Sequence, residues 1–120
     1  MRMNNDKLKN MSFEKLYGAL IAKAVRKGRT QEEVDVLTSW LSGYTAVQIT
    51  DMMQDGTSYG DFIDHAPSWN PLASKIKGRI CNVRVEEIED PFMWRVRCLD
   101  KLVDDLAKGK SIEKIIPQDQ

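Results

Sequence analysis

The chain has 120 residues, 42 % of them hydrophobic and 30 % charged, and its 18 Lys and Arg balance its 18 Asp and Glu. That composition belongs to a globular domain and excludes an intrinsically disordered segment or a strongly basic or acidic tail protein. No apolar run approaches the ~18 residues of a membrane-spanning helix, and two cysteines are too few for a disulfide scaffold.

The amino end, MRMNNDKLKN, is charged and amide-rich, with no apolar stretch that reads as a signal peptide, so the expected location is the cytoplasm. Residues 1–11 lack periodicity and read as a flexible tail ahead of one helical domain over residues 12–116, with Met11 a candidate alternative start. Ser12 is a candidate N-cap. Behind it Phe13, Leu16, Tyr17, Leu20, Ile21, Ala24 and Val25 fall at steps of three and four, the stripe of an amphipathic helix. Lys23, Arg26 and Lys27 suit its C-terminal end, and Gly28 stops it.

Thr30 and Glu33 spell a capping box, a hydroxyl cap with a carboxylate three positions on. The helix it opens presents Val34, Leu37, Trp40 and Leu41 and closes at Gly43. Thr45 and Gln48 form a second box, opening a short helix with Val47, Ile49, Met52 and Met53 that closes at Gly56. Ser58 caps another, with Tyr59, Phe62, Ile63 and Ala66, stopped at Pro67.

Asn70-Pro71 pairs an N-cap with proline at the first helical position. It predicts a helix of about ten residues with Leu72, Ile76 and Ile80 inward. In residues 80–88 Val83 and Val85 alternate like a strand, but a lone short strand has no evident partner. The stretch is read as an irregular or single-turn link. Asp90-Pro91 opens the longest helix, to about Lys108, with Phe92, Val96, Leu99, Leu102, Val103 and Leu106 on one stripe. Asp104 and Lys108 form an i,i+4 pair on it, Gly109 ends it, and Ser111 caps a last short turn. The predicted fold is all-α: five or six short helices in one irregular or orthogonal bundle, closed by one long C-terminal helix.

The segments KGRTQEEVDVLTSWLSGY and IKGRICNVRVEEIEDPFMWRVRCLDKLVDDLAKGK resemble a bacterial family of uncharacterised proteins, the domain-of-unknown-function family numbered twenty-two hundred. The likeness covers about residues 11–116, and VRVEEIEDP followed by LDKLVDDLAKGK carries it. Asn82 departs from the Gly expected after the Cys, which bears on the local turn. The resemblance implies a small helical protein. It implies no activity, so no functional residue is carried over.

Charge is unevenly distributed along the chain. Residues 1–30 carry net +6, residues 31–67 net −7, residues 68–84 net +4 and residues 85–120 net −3. The blocks either face one another within the fold or give a bipolar surface for a second copy. Residues 31–55 have the turn length of a helix-turn-helix, but the second helix carries Asp51 and Asp55 and no Lys or Arg. An acidic reader works against phosphate, so the pair reads as a plain helical corner. A basic surface from Lys23, Arg26, Lys27 and Arg29 with Lys75, Lys77, Arg79 and Arg84 is a secondary nucleic-acid candidate.

The best candidate cluster is Arg84 with Glu86, Glu87, Glu89 and Asp90, which could bind a small molecule or a hard cation through oxygen. Asp90 is already needed as a cap, and the spacing is not that of a calcium loop, so no metal site is assigned. His65, the one histidine, has no motif placing a nucleophile beside it. Cys81 and Cys98 read as reduced thiols at buried or half-buried sites. No cofactor is implied. Met93, Trp94 and Cys98 make a second apolar strip on the long helix, and they are the candidate interface of a homodimer. The leading expectation is a non-catalytic interaction protein that self-associates. The alternatives are a ligand-binding protein or enzyme using the Arg84 cluster, and a nucleic-acid binder using the basic surface.

Overall fold

The structure is a computed structural model that describes residues 5–118. Its chain order is α1 (Asn5–Asn10), α2 (Phe13–Arg26), α3 (Gln31–Ser42), α4 (Ala46–Gln54), α5 (Tyr59–Asp64), a 3-10 turn (Pro71–Lys75), strands β1 (Arg79–Ile80) and β2 (Val83–Arg84), a second 3-10 turn (Val85–Glu87), α6 (Pro91–Ala107) and α7 (Ile112–Ile115). The protein is mostly helical, as expected, and α6 is its axis. Helices α2, α3, α5 and α7, strand β1 and the second 3-10 turn all pack on α6.

The helix starts are made by the side chains expected to make them. Ser12 accepts the Lys15 amide, Ser58 the Asp61 amide and Asp90 the Met93 amide. Both capping boxes close in both directions, at Thr30 with Glu33 and at Thr45 with Gln48. Ser111 stands at the start of α7, but its hydroxyl makes no capping bond. Gly43 ends α3 at φ 86°, where a Cβ would lie 2.8 Å from the Ser68 nitrogen. Only glycine serves there, on both counts.

Three expectations are corrected. Residues 5–10 of the expected tail form α1, which packs on α5 and buries Leu8; residues 1–4 lie outside the described residues. A six-residue helix with one buried side chain has no period to read. Its docking depends on a distant position, Gly60, where a Cβ would come within 2.9 Å of Lys9. Second, the helix expected after Pro71 is only a 3-10 turn, because the chain turns extended at Ile76 to bury that side chain. Third, residues 79–84 are a hairpin, with Arg79 opposite Arg84 and Ile80 opposite Val83. The partner that a short strand seemed to lack is the next two residues but two. Cys81 and Asn82 turn the chain at φ 52° and 66°, the two positive values that a tight hairpin turn needs.

The core is built on aromatic rings from α2, α5 and the α3–α4 link. Phe13 lies 4.4 Å from Phe62 and 4.8 Å from Tyr17, and Tyr44 lies 5.4 Å from Phe62, measured between ring centres. Offset contacts of this kind add to the gain from burying the rings. The stripe on α6 is buried as expected, and so are Cys98, Lys101 and Asp105 on its other sides. Val25 and Val47, placed on core stripes by their spacing, are instead exposed at 54 % and 70 %. Among the described residues, no helix is long and apolar enough to cross a membrane.

Candidate functional site

The Arg84 cluster does not gather into one site. Arg84 reaches Glu86 at 3.8 Å, with about half of its side chain in solvent. Glu86 also accepts the Gly78 amide at 3.0 Å, which ties the root of the hairpin. That backbone bond, more than the Arg84 charge, holds the Glu86 carboxyl below its ordinary range. Glu87 and Glu89 are exposed. Asp90 accepts from the Met93 amide and from the Asn5 side chain, both at 2.9 Å, so it joins α1 to the start of α6. Among the described residues, no three His, Cys, Asp or Glu are placed to hold a metal ion.

The second strip on α6 divides as well. Cys98 is fully buried, and burial pushes its thiol up to about 12. It is part of the core. Met93 and Trp94 are half-buried, and Trp94 packs against Trp69 at 6.1 Å, with Arg95 over the Trp69 ring at 4.7 Å. Cys81 is exposed at the hairpin tip, which corrects the expectation that both thiols are covered. His65 is exposed at the end of α5. The basic surface is partly neutralised by its own fold. Lys23 pairs with Asp104 at 2.8 Å and Arg29 with Glu33 at 2.6 Å.

A different place has the form of a binding site. Leu8 of α1, Leu16, Ala19 and Leu20 of α2, Tyr59 at the start of α5, and Val96, Arg97 and Asp100 of α6 surround a hollow of about 220 Å³ that opens to solvent. Its surface is mostly apolar. Leu16 and Leu20 are half-buried rather than covered, so their apolar surface is incompletely removed from water.

The charged part of the wall is a single ion pair. Arg97 donates from Nη1 to Asp100 Oδ2 at 3.1 Å and to Cys81 Sγ at 3.4 Å. Most of both side chains is removed from solvent, with 16 % of Arg97 and 21 % of Asp100 exposed. Burial raises the Asp100 carboxyl above its ordinary value, and the Arg97 charge offsets only part of that. Pockets that hold ligands have this mixture of apolar walls with few polar groups.

Sequence reasoning missed this site. Arg97 and Asp100 sit at i,i+3, which reads as an ordinary surface pair, and Leu16 and Leu20 read as core. No local signal marks it, since Ala19 is one of several small residues in α2, with Gly18, Ala22 and Ala24.

Similarity to other proteins agrees with the fold. A family model described as an uncharacterized protein conserved in bacteria, DUF2200, matches residues 7–117. A crystal structure of an uncharacterized protein, SP1917, is similar over 100 % of both chains, at 44 % identity and a TM-score of 0.92. Among curated proteins none matches.

Proposed function

The chain belongs to the DUF2200 family of uncharacterized proteins conserved in bacteria, and from that starting point we propose that it is a non-catalytic interaction protein of the cytoplasm. The observation that carries this reading is the open hollow between α1, α2 and α6, with Leu16 and Leu20 half-covered and an Arg97–Asp100 pair in its wall. Two of the groups that sequence reasoning offered for chemistry are engaged in structural bonds. Asp90 caps α6 and Glu86 holds the hairpin root. A folded surface with partly exposed aliphatic side chains in a concave setting suits recognition by burial.

Capture from a bacterial extract tests it with three forms of the protein. Ala19→Trp places a large ring at the hollow from an exposed helix position. Val47→Lys changes a side chain exposed at 70 % on α4 and serves as control. A partner retained by wild type and Val47→Lys and lost by Ala19→Trp supports the reading. Equal retention by all three contradicts it.

Self-association is a second part of the proposal. It is favoured by Met93 and the Trp69–Trp94 pair, half-buried on one side of α6, since Trp and Met are enriched at interface centres. Light scattering at micromolar concentration should give a dimer mass that Trp94→Glu converts to a monomer. A monomer mass for the wild type removes this part.

A further inference from the structure

The hollow is charged at one place, between Arg97 and Asp100. The charges of Arg97 and Asp100 cancel, yet both side chains keep unused hydrogen-bonding capacity. Nη1 of Arg97 serves both Asp100 Oδ2 and Cys81 Sγ. Among the described residues, Nε and Nη2 of Arg97 have no protein acceptor and Oδ1 of Asp100 has no protein donor. A guanidinium carries five N–H donors and a carboxylate two acceptor oxygens.

A ligand head with a net charge gains from one member of this pair and is repelled by the other, while its own desolvation still costs. A neutral head with an acceptor beside a donor satisfies both members at once. The secondary amide of a peptide is such a head: its carbonyl suits an Arg97 N–H and its N–H suits Asp100 Oδ1. The apolar remainder of the wall, Leu8, Leu16, Leu20 and Val96, suits an aliphatic side chain attached next to that amide. The hollow opens to solvent rather than enclosing its content, which lets a chain continue on either side of the buried residue.

Resting on the interaction reading above, we infer that the hollow is built for one aliphatic side chain of a partner's peptide segment together with its flanking backbone amide, with Leu16, Leu20 and Val96 holding the side chain and Arg97 and Asp100 reading the amide. The partner is recognised as peptide, by a leucine-like anchor in a locally uncharged stretch. A few buried anchors carry most of an interface's affinity, and the surrounding contacts chiefly exclude water.

Amide-resolved NMR titration of the full-length protein tests this with four probes. Acetyl-leucine N-methylamide should shift the amides of residues 16–20 and 96–100 and saturate. Acetyl-serine N-methylamide, with no aliphatic anchor, should bind roughly tenfold more weakly. Acetyl-leucine, with a carboxylate in place of the second amide, should also be weaker, because the charge meets Asp100. The capped tripeptide Ala-Leu-Ala should bind at least as well as the single residue. Ala19→Trp should abolish all of these shifts while leaving the rest of the spectrum in place.

Equal binding of the leucine and serine probes overturns the inference. So does tighter binding of the carboxylate, which makes the hollow an anion site. Exclusion of the tripeptide while the single residue binds makes it a small-molecule pocket and overturns the peptide assignment. If no probe binds while Ala19→Trp still abolishes partner capture, the peptide chemistry is wrong and the interaction reading stands.

Discussion

The guanidinium of Arg29 donates to the carbonyl oxygen of Leu106 at 3.2 Å, across 77 positions of sequence. The same Nη1 reaches the Lys110 carbonyl at 2.9 Å, while Nε and Nη2 hold Glu33. One planar fork thus fastens the start of α3 to the end of α6, adding a second donor to a Leu106 carbonyl that already accepts the Gly109 amide. Glu33 belongs in turn to the capping box at Thr30.

Arg29→Lys keeps the charge and loses the fork. It should lower the thermal midpoint by roughly a few degrees, with Arg29→Met lower still. Calorimetry on the three proteins checks this order. An unchanged midpoint in Arg29→Lys contradicts the fork's role, since a point charge alone would then suffice.

The pH dependence of stability follows from Glu33. Its bond to Arg29 is the main reason its carboxyl is held below the ordinary value. A carboxylate with a depressed folded pKa contributes stability above its unfolded value of about 4.3, and that contribution is lost as pH falls through the folded value. Asp100 runs the other way, because its raised carboxyl favours the folded state more as pH falls, so the variant comparison is more telling than the wild-type curve. Glu33→Gln should be less stable than wild type in urea at pH 7, and the gap should narrow steadily below about pH 4.3. A gap that stays constant to pH 2.5 contradicts the ion-pair assignment.

Lys101 and Asp105 form an ion pair at 2.7 Å on α6, with only 11 % and 13 % of their side chains exposed. The pair lies under the hairpin, where a Cβ at Gly78 would come within 2.8 Å of Lys101. Asp105 reaches a second cation, Lys110, only at 4.0 Å, so removing Lys101 leaves a poorly paired charge in a dry place and Lys101→Ala should cost about 3 kcal/mol. Lys101→Met with Asp105→Leu should recover most of that loss. Denaturant unfolding of both variants checks it, and a double variant as unstable as the single one contradicts the account.

Asn82 holds φ 66° at the hairpin tip, a conformation asparagine tolerates and β-branched residues do not. Asn82→Gly should leave stability within about 0.5 kcal/mol of wild type, and Asn82→Val should cost about 1–2 kcal/mol. Equal midpoints for Gly and Val contradict the turn geometry.

What the sequence made legible was local. Capping residues announce themselves within four positions, so the starts of α2 to α6 and the stops at Gly28, Gly43 and Gly56 were readable. What was not legible depends on distant contacts. α1 exists because Gly60 admits Lys9, and the helix after Pro71 is cut short because Ile76 is drawn into the core. Residues 79–84 were missed because two-residue strands offer no run long enough to read, and their pairing rests on the positive φ of Cys81 and Asn82. The hollow was illegible for a related reason. Periodicity assigns Leu16 and Leu20 to an inward face, and only the assembled α1, α2 and α6 reveal that the face is incompletely covered.

The central claim is that a partner docks at this hollow, and site-specific photocrosslinking in living cells tests it most directly. A photoreactive side chain at Ala19, which is exposed and lines the hollow, should yield a defined adduct with a second protein. The same side chain at Val47, exposed on α4, should yield none. An adduct from Val47 with none from Ala19 contradicts the claim and moves the docking surface to the acidic half of the molecule.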